Sequence, residues 1–568
     1  MKKWEILASE EPIETIDQII ALLLYGRGLK TKKERDEFLH PILEKVTIRE
    51  VGIDFKHLKL ALNRLQFAFD KKELIIIYGD YDVDGITGTA ILWEALIALG
   101  FKVMPYIPHR VDEGYGLSEK GIDNLLIQYP DTKLIVTVDN GIVASQAVKY
   151  AKKNSLDVII TDHHLPDKEH EMPDALALVH TTKLCGAGVA WLLSREIQKQ
   201  FDIQEISPST STSTDNNIDT HLELAALGTV ADLVPLTGAN RAIVFHGLKI
   251  LGKTKRFGLA ELYERAGIDV GKIGVYEIGH VIGPRLNAAG RLESAMDSLR
   301  LLCTHDKNRA KLLAESLNVT NSQRQLIMRS AVEHAKSKIK NQKSEIKKVL
   351  IISEESYEEG VIGLVAGRLV DEFYRPSIVI AKREEVSKGS VRSVSGFNII
   401  EFLRSKSDLF INVGGHPMAA GFSVDSSRLL ELQEKLEEYA EEKISDDLLE
   451  RKIKINMELP FNLLSDDLYL KLQDLSPFGM GNPEPVFLSK HVLVREKRVI
   501  GKEGKHLRMI LQGGEVGRVI EAIAFGMGDR SSQIVEEGYI DVVYALDENN
   551  WKGNKRLQLK IKDFSSSD

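Results

Sequence analysis

The stretch "ELIIIYGDYDVDGITGTAILWEALIALG" (73–100) decides the fold of the first half of this chain. It opens with a short β-branched apolar run, typical of a buried strand, and it closes with a helix-like segment. Between the two, Asp80, Asp82 and Asp84 stand at alternate positions. Carboxylates this close repel one another unless a cation lies among them, so the loop indicates either a cation site or a solvated acidic turn.

A calcium-binding EF-hand loop also begins with aspartates at alternate positions followed by a glycine. That loop needs a bidentate glutamate at its twelfth position and a helix on each side. Counted from Asp80, the twelfth residue is Ile91, and the apolar run before Asp80 favours a strand. The sequence therefore argues against an EF-hand.

Two further apolar runs end in the same kind of residue. "KLIVTVDNG" (133–141) leads to Asp139, and "LDVIITDHH" (156–164) leads to an aspartate and two histidines. Helix-like stretches separate the runs, and alternating strands and helices predict a parallel sheet. Ligands of such sheets bind beyond the carboxyl ends of the strands, so we expect these polar side chains to form one site.

Eight motifs resemble those of the DHH phosphoesterase family, within its branch of single-strand-specific exonucleases. They are "GDYDVDG", "PHRVDEGYGL", "VTVDNG", "ITDHH", "LGTVADLVPL", "GPRLNAAGR", "SVRS" and "GGHPMAAGFS". Together they extend over most of the chain, roughly residues 75 to 425. The resemblance implies a metal-dependent phosphodiesterase that degrades single-stranded DNA from the 5′ end to 5′-mononucleotides in DNA repair and recombination.

Carboxylates and imidazoles together suit a divalent cation such as Mn²⁺, with Mg²⁺ as the other choice, and a sheet edge could hold two such ions. The resemblance assigns Asp82 and Asp139 to a first ion, which Asp80 ligates or supports. Four residues would hold the second ion: Asp84, Asp139, His163 and Asp232. Asp139 would then bridge the two ions.

The resemblance places His164 beside the substrate phosphate as a donor or proton-transfer group, with Asp162 orienting a neighbouring residue. The implied catalytic residues are Asp84, Asp139, His163 and His164. Some relatives carry a histidine at the position of Tyr78, which is a poor ligand, so we expect the first ion to bind more weakly here.

The remaining motifs supply groups that suit a phosphate ester. The implied substrate contacts are Arg110, Tyr115, Arg285, Asn287, Arg291, Ser390, Arg392, Gly414, Gly415 and His416. Adjacent glycines let backbone N–H groups approach an anion closely. In the family, the last of these motifs belong to the DHH-associated domain, which faces the metal site across a cleft. A single arginine could instead be a surface charge, and Tyr115 could pack within its loop.

The pattern along the chain predicts an α/β multidomain protein. We expect a helical lead-in (1–60), a parallel-sheet DHH domain (61–240), a helical region with a long connecting helix (241–345), a DHH-associated α/β domain (346–450) and a C-terminal OB-fold β-barrel (451–568). Alternating strands with Gly and Asn turns indicate the barrel. "SPSTSTSTDNN" (207–217) predicts a disordered insert, and Thr320 or Asn321 is the expected cap of the connecting helix.

OB-folds bind single strands through basic grooves and aromatic side chains. Candidate phosphate contacts in the barrel are Lys502, Lys505 and Arg508, and candidate stacking residues are Phe525, Tyr544 and Trp551. For Phe525 and Tyr544 we favour the alternative that each belongs to the barrel core.

The net charge of −8 over 568 residues neither supports nor excludes nucleic acid, because the local potential decides binding. Cys185 and Cys303 stand far apart and predict buried thiols in a reducing compartment. With no signal-peptide pattern and no apolar run of membrane-spanning length, we expect a cytoplasmic monomer that does not bind membranes.

Single-stranded DNA is the implied partner, and a single-strand-binding protein and a helicase are further candidates. Two alternatives stay open at this point. One is a DHH enzyme that acts on short oligonucleotides, cyclic dinucleotides or pyrophosphate, and the other is a DNA-binding scaffold without activity.

Overall fold

A computed structural model describes residues 2–8, 13–110, 112–166, 171–201, 220–292, 294–341, 346–513, 517–551 and 554–567. The chain divides into two compact units. One unit comprises Met1–Glu5 and Val319–Ile453, and the other comprises Ile6–Asn318 and Lys454–Asp568. None of the described helices combines the length and apolar character that crossing a bilayer requires. The low-complexity stretch 207–217 lies outside the described residues.

The N-terminal segment consists of one short strand and four helices. They are β1 (Lys3–Ile6), α1 (Ile16–Gly26), α2 (Lys32–Leu39), α3 (Ile48–Val51) and α4 (Phe55–Lys71). The first three helices begin after Thr15, Thr31 and Thr47, whose hydroxyls accept a hydrogen bond from a backbone N–H in the first turn. Such caps satisfy donors that have no partner within the helix, so the sequence itself sets where these helices begin.

The next segment is a parallel sheet with helices between its strands. In chain order its elements are β2 (Leu74–Gly79), α5 (Val83–Ala98), β3 (Val103–Tyr106), α6 (Glu119–Gln128), β4 (Thr132–Val138), α7 (Ser145–Lys153), β5 (Asp157–Asp162), β6 (Ala177–His180), α8 (Gly186–Gln200) and α9 (Leu222–Ala231). The strand order is β3-β2-β4-β5-β6, and every neighbouring pair is parallel. The predicted parallel sheet is confirmed.

Strand β2 is buried along its whole length, as expected for a strand covered on both faces. Ile75 and Ile77 belong to one apolar core, and Ile76 and Tyr78 belong to another on the opposite side of the sheet. Strands β2, β4 and β5 are neighbours in the sheet. The residues that follow these three strands therefore share one edge, and this edge carries the acidic loop.

Six helices follow the sheet. They are α10 (Gly238–Leu251), α11 (Phe257–Ala266), α12 (Val275–Glu277), α13 (Gly283–Leu292), α14 (Met296–Cys303) and the 35-residue α15 (Lys307–Asn341). The predicted long helix is present, but the cap expected at Thr320 or Asn321 is wrong, because both residues are buried inside it. The carboxylate of Asp306 instead accepts N–H bonds from Asn308 and Arg309 and caps α15.

The unit that contains residues 319–453 is built on a mixed sheet. Its elements are β7 (Leu350–Glu354), α16 (Ile362–Phe373), β8 (Ser377–Ala381), β9 (Val386–Arg392), α17 (Ile399–Arg404), β10 (Asn412–His416), β11 (Ala419–Asp425) and α18 (Leu429–Lys443). The strand order is β10-β11-β9-β8-β7, with β7 and β8 parallel and the other pairs antiparallel. Alternate residues of β8 enter two different cores, so both faces of the sheet are covered.

The last segment of the chain is a closed barrel. Before it come β12 (Lys452–Ile455), which pairs with β1, then β13 (Met457–Glu458) and α19 (Asp466–Gln473). The barrel strands are β14 (Phe487–Ile500), β15 (His506–Gly513), β16 (Val519–Ala524), β17 (Tyr539–Trp551) and β18 (Asn554–Ser566). The strand order is β14-β15-β16-β18-β17, and β17 pairs back onto β14. The β16–β18 pair is parallel and the other pairs of the ring are antiparallel. A five-stranded barrel with this connectivity is an OB-fold, as predicted.

Candidate metal centre

The acidic loop between β2 and α5 is held by hydrogen bonds to its own backbone. Oδ1 of Asp82 accepts from the backbone N–H of Asp84 at 2.9 Å and of Gly85 at 3.1 Å. Oδ1 of Asn287, on α13, accepts from the N–H of Val83 at 2.9 Å. These N–H groups lie in the first turn of a helix and have no partner within it. The bonds therefore fix the direction in which the aspartates leave the loop.

Asp84 is held by the start of another helix. Its two carboxylate oxygens accept from the backbone N–H groups of Gly186 at 2.6 Å and Ala187 at 2.8 Å, at the N-terminus of α8. A helix N-terminus favours negative charge. Helices α8 and α9 can lie this close to the aspartates only because both carry a glycine there. A Cβ on Gly186 would lie 2.5 Å from Cβ of Asp139, and one on Gly228 would lie 2.6 Å from Oδ1 of Asp84.

Asp139 lies at the middle of the cluster. It follows β4 with φ of +63°, in the left-handed region that aspartate enters more readily than most residues. Its Oδ1 lies 3.1 Å from Nε2 of His163. The same Nε2 lies 3.7 Å from Oδ2 of Asp84 and 3.6 Å from Oδ2 of Asp232. One imidazole nitrogen is thus within reach of carboxylates from three separate elements.

Three overlapping groups of side chains place their ligand atoms within 4.8 Å of one another. The groups are Asp80, Asp82 and Asp139; Asp84, His163 and Asp232; and Asp139, His163 and His164. The first two groups correspond to the two ions that the resemblance implies, except that Asp139 is absent from the second group, and Asp139 lies in two of the three groups. The structure therefore brings together all six of the expected ligand residues.

Three atoms of this cluster are open to a ligand. Oδ1 of Asp80, Oδ1 of Asp139 and Nε2 of His163 are buried and have no hydrogen-bond partner among the described residues; the last two are 3.1 Å apart but lack hydrogen-bond geometry. Buried polar atoms are nearly always partnered in folded proteins, so three open atoms in one cluster indicate a bound group. Oxygen and imidazole ligands are those that Mn²⁺ accepts, and the oxygens also suit Mg²⁺. The residues present fit a divalent metal.

The electrostatics of the cluster favour the same conclusion. Burial raises the pKa of Asp80, Asp82 and Asp139, and the charges of neighbouring carboxylates raise it further. Burial and the charges of nearby aspartates raise the pKa of Asp232 to about 9. Burial lowers the pKa of His163, so its ring is neutral near pH 7 and keeps a lone pair for a metal. Bound cations would remove the cost of holding these carboxylates charged.

His164 has a different environment, which Asp162 creates. Oδ1 of Asp162 lies 2.8 Å from Nδ1 of His164 and also accepts from the N–H groups of His163 and His164. Its Oδ2 accepts from the N–H of Ile142 at 2.9 Å. Burial alone would lower the pKa of His164, but the hydrogen bond and charge of Asp162 outweigh it and raise the pKa to about 9. His164 is therefore an imidazolium near neutral pH.

Tyr78, where some relatives carry a histidine, belongs to the core beneath α6. Its side chain is fully buried, and its hydroxyl donates to the carbonyl oxygen of Gly116 at 3.3 Å. A Cβ on Gly121 would lie 2.2 Å from that hydroxyl oxygen, so the ring fills its space completely. The structure gives Tyr78 a packing role, and the expected weakness of the first ion stays a prediction.

Arg110 and Tyr115 lie beside the acidic loop. The guanidinium carbon of Arg110 is 5.0 Å from the centre of the Tyr81 ring, and Tyr81 stands between Asp80 and Asp82. The hydroxyl of Tyr115 lies 3.3 Å from Nε2 of His164, and the residue is 53% exposed. An exposed ring at this distance is available to a substrate.

Helix α13 carries three expected substrate contacts, and the structure gives two of them other partners. Asn287 bonds to the acidic loop, as described above. Arg285 donates to Oδ1 of Asn318 at 3.1 Å and to the carbonyl of Val281 at 2.8 Å. The charge of Arg291 opposes the rise in the pKa of Tyr81 that burial causes, which places Arg291 near the loop. Helix α13 thus supports the acidic loop.

The other five expected substrate contacts lie in the mixed sheet of their own unit. They are Ser390, Arg392, Gly414, Gly415 and His416. Register across β9, β11 and β10 aligns Arg392 with Ala419 and Ala419 with His416. Directly opposed residues of antiparallel strands share a face, so an arginine and a histidine flank a small residue there. The structure gathers these five residues on neighbouring strands.

The cations expected to contact DNA in the barrel have acidic neighbours. Arg508 donates to Glu521 at 3.0 Å and lies 3.7 Å from Glu496. Lys505 lies 2.7 Å from a carboxylate oxygen of Glu503. Lys502 is exposed in the turn between β14 and β15. Arg508 is thus engaged in the barrel wall, whereas the lysines lie at its end.

The three aromatic candidates of the barrel differ. Tyr544 is fully buried with its hydroxyl 2.8 Å from Oγ of Ser489, so its predicted place in the core is confirmed. The same prediction is wrong for Phe525, which is 54% exposed because it lies just beyond the end of β16. The side chain of Trp551 lies outside the described residues.

The sequence reading missed the role of the backbone at Gly186 and Ala187. The stretch "CGAGVAWLL" (185–193) reads as an ordinary glycine-rich start of a helix. Its contact with Asp84 joins residues about a hundred positions apart and could not be deduced from spacing. Both cysteines are buried and free, as predicted.

Three parts of the chain match known domain families. The DHH family N-terminal domain matches residues 74–229, the DHHA1 domain matches 346–442 and the RecJ OB domain matches 455–563. The single-stranded-DNA-specific exonuclease RecJ of Bacillus subtilis is 34% identical over 97% of this chain and 68% of its own length.

Two solved structures are similar to this protein over its whole length. RecJ from Thermus thermophilus in complex with Mn²⁺ superposes with a TM-score of 0.81 and 30% identity, covering 100% of this chain and 80% of that one. The Mg²⁺ complex of the same protein gives a TM-score of 0.74 at 29% identity, covering 100% and 79%. With these matching domains and relatives that match over nearly its whole length, the chain belongs to the RecJ family of DHH phosphoesterases.

Proposed function

We propose that this protein is a metal-dependent exonuclease that hydrolyses single-stranded DNA from the 5′ end to 5′-mononucleotides, acting in DNA repair and recombination. The observation that carries the proposal is the cluster of carboxylates and imidazole at the sheet edge, with three buried atoms left open to a ligand. The names of the RecJ relatives support single-stranded DNA as the substrate.

The ligand groups suggest how two divalent cations would be held. Asp80, Asp82 and Asp139 would hold one ion, and Asp84, Asp139, His163 and Asp232 would hold the other. Mn²⁺ or Mg²⁺ at such sites supplies Lewis-acid stabilisation of a phosphoryl group and lowers the pKa of a coordinated water. Helix α8 and Asn287 keep the carboxylates in place, so little reorganisation is needed when substrate binds.

The neighbouring residues would act on the phosphodiester. His164 holds its Nδ1 proton toward Asp162 and, as an imidazolium, carries a second N–H at Nε2, which lies 3.3 Å from the Tyr115 hydroxyl. This N–H can neutralise a phosphate oxygen or protonate a leaving oxygen. The exposed ring of Tyr115 offers a face for a terminal base or sugar, and Arg110 adds positive charge near the acidic loop.

More distant residues would grip the strand. In the mixed sheet, Arg392 and His416 would bind phosphate groups, with glycines 414 and 415 leaving backbone N–H groups accessible. In the barrel, Phe525 would stack on a base, and Lys502 and Lys505 would contact the backbone of the strand. A cytoplasmic location, a monomeric state and contacts with a single-strand-binding protein or a helicase stay predictions.

The test is a timed digest of 5′- and 3′-labelled single strands, duplexes and RNA, with each metal in turn. We expect release of labelled mononucleotide first from the 5′-labelled single strand, and loss of release in Asp139→Asn. A matched control is Asp131→Asn, since Asp131 lies exposed before the same strand β4, at its opposite end. Cleavage by Asp139→Asn, first release from the 3′ end or equal cleavage of a dinucleotide and a long strand would contradict the proposal.

A further inference from the structure

The turn that carries Asp232 has a strained backbone. Asp232 ends helix α9, and the next residue, Leu233, adopts φ of +61° with its side chain 63% exposed. A non-glycine residue in the left-handed region costs about 1–2 kcal/mol. Such a conformation persists only where the surrounding structure fixes it. The turn that follows the metal-site aspartate therefore depends on its neighbours.

Those neighbours are residues 475–485, far from Asp232 in the sequence. We call this segment the linker loop, because it precedes the first strand of the barrel. The backbone N–H of Leu236 donates to the carbonyl of Met480 at 2.7 Å. A Cβ on Gly481 would lie 2.8 Å from Cβ of Pro235, and one on Gly479 would lie 2.7 Å from Cδ1 of Leu236. The glycines of the linker loop thus pack directly against the side chains of Pro235 and Leu236.

The linker loop is itself held firmly. Asn482 is fully buried, and its amide donates to the carbonyl of Leu475 at 2.8 Å. Nε of Arg27, on α1, donates to Oδ1 of Asn482 at 2.8 Å. Arg241, on α10, is 1% exposed and donates to the carbonyl of Ser476 at 2.7 Å. The half-buried guanidinium of Arg27 and the buried one of Arg241 come from distant parts of the chain and together fix the loop in one position.

The turn is also held from its own side. The amide of Asn240 donates to the carbonyl of Pro235 at 3.1 Å and to that of Lys183 at 3.1 Å. Residue 235 is therefore fixed between the linker loop and helix α10, close behind Asp232. Since Oδ2 of Asp232 lies 3.6 Å from Nε2 of His163, a small shift of this turn would separate the two ligand atoms.

We propose that the linker loop is a positioning element of the metal centre. By holding residues 235 and 236, it keeps the Asp232 carboxylate against His163 and Asp84 and so sets the affinity of the second ion. Outer partners that orient metal ligands commonly change metal affinity by about 10–100-fold when they are altered. The inference rests on the proposed function, because it requires Asp232 to be a metal ligand.

The test is calorimetric titration of the full-length protein with Mn²⁺. In Gly481→Ala, the added methyl group meets Pro235, and we expect the Mn²⁺ dissociation constant of the second ion, the more tightly held of the two, to rise about 10-fold. The matched control is Gly267→Ala, at the end of α11. Gly267 has φ of +66° against +72° for Gly481, but a Cβ there meets no atom within 4 Å. The two variants share the backbone strain and differ in the contact, so the control should bind Mn²⁺ as the wild type does.

Two further variants separate positioning from general damage. In Gly479→Ala the added methyl group meets Leu236, and the backbone at residue 479 is not in the left-handed region. This variant tests the same contact if Gly481→Ala does not fold. In the background of Asp232→Asn, where the ligand is already impaired, adding Gly481→Ala should have little further effect on Mn²⁺ binding.

Unchanged Mn²⁺ affinity in folded Gly481→Ala and Gly479→Ala, an equal loss in Gly267→Ala, or additive losses with Asp232→Asn would overturn the inference. Wild-type protein that binds no Mn²⁺ would instead refute the proposed function, and the inference with it.

Discussion

Helices α5 and α9 contribute to two charged clusters. One consists mainly of carboxylates, and the other pairs carboxylates with basic side chains. Asp84 at the start of α5 and Asp232 at the end of α9 belong to the candidate metal centre, where several carboxylates lie close together. Farther along α5, Glu94 lies close to His221 at the start of α9, and Arg256 links Glu94 to Glu223 in the first turn of that helix. The same pair of helices therefore allows a direct comparison of a site built for ligands with a site built for stability.

The second cluster is balanced within itself. Arg256 donates to both carboxylate oxygens of Glu94, at 2.9 and 2.7 Å, and to Glu223 at 2.6 Å. Nε2 of His221 lies 3.0 Å from Glu94. Burial alone would raise the pKa of Glu94, but the bonds from His221 and Arg256 outweigh it and lower the pKa to about 2. Burial with opposite charges lowers a carboxyl pKa, whereas burial among like charges raises it, and only the second arrangement calls for an external cation.

The largest expected effect comes from changing the centre of the acidic cluster. Asp139→Asn removes a shared ligand, and we expect nuclease activity to fall by about 1,000-fold or more. In metal-free protein the same change relieves repulsion among buried carboxylates, so the melting temperature should rise or stay the same. Activity on a labelled single strand and thermal unfolding in chelator measure the two effects. A clear loss of metal-free stability would show that Asp139 is a structural residue instead.

The balanced cluster should respond in the opposite way. Glu94→Gln removes the bidentate partner of the largely buried Arg256 and leaves it only Glu223, so we expect a cost below that of a fully broken buried pair, about 3–5 kcal/mol. We expect a lower melting temperature but unchanged Mn²⁺ affinity and unchanged activity per folded molecule. Chemical and thermal unfolding measure the first, and calorimetry measures the second.

A double variant shows how much of the loss in Glu94→Gln comes from leaving the Arg256 charge without its partner. Replacing Glu94 and Arg256 together by Gln and Met removes both buried charges, so it should recover part of the stability lost in Glu94→Gln. A Glu94→Gln protein as stable as the wild type, or one that loses Mn²⁺ binding, would break the distinction between the two clusters.

The pH dependence of stability should show the balanced cluster directly. The pKa of Glu94 is about 2 in the folded protein, against about 4.3 for an unperturbed glutamate. A lowered pKa contributes stability that is fully present above the unfolded value and is lost as pH falls toward the folded value, here about 3 kcal/mol in total. The melting temperatures of wild type and Glu94→Gln should therefore converge as pH is lowered from 7 toward 3. A constant difference over this range would contradict the assignment.

The two clusters also show what the sequence can and cannot predict. Most of the candidate metal centre was predictable because its residues follow strands, and the carboxyl ends of neighbouring parallel strands meet at one edge. Asp232 ends helix α9 instead, and only the family resemblance assigned it to the site. Nothing in the spacing linked Glu94 with Arg256 or Asp84 with the N-terminus of α8, because helix-to-helix contacts depend on packing across the whole core. The cap of α15 was misplaced for a related reason. Thr320 and Asn321 look like cap residues, yet Asp306 satisfies the first turn and the helix continues through them.

Substrate residues were harder to predict than metal ligands. A metal needs several ligands of narrow chemistry at one point, whereas an arginine or asparagine can serve equally well as a support. Asn287 bonds to the N–H of Val83, and Arg508 bonds to Glu521, although both had been expected to meet the nucleic acid. Phe525 shows the reverse error, because a strand-end position exposes a side chain that the apolar pattern assigns to the core.

The smallest expected effect comes from Tyr78, and it tests whether this residue belongs to the core alone or also influences the first ion. Tyr78→Phe removes a hydroxyl that donates to the carbonyl of Gly116 at 3.3 Å, and the loss of one such bond costs about 1 kcal/mol. Because the ring packs with Ile122 and Leu125 in the core beneath α6, we expect Mn²⁺ affinity to be unchanged. Tyr106→Phe is a matched control, since its ring lies 5.3 Å away and its hydroxyl bonds to Glu113. Weaker Mn²⁺ binding in Tyr78→Phe alone would mean that the phenol acts on the first ion, and that this part of the core belongs to the site.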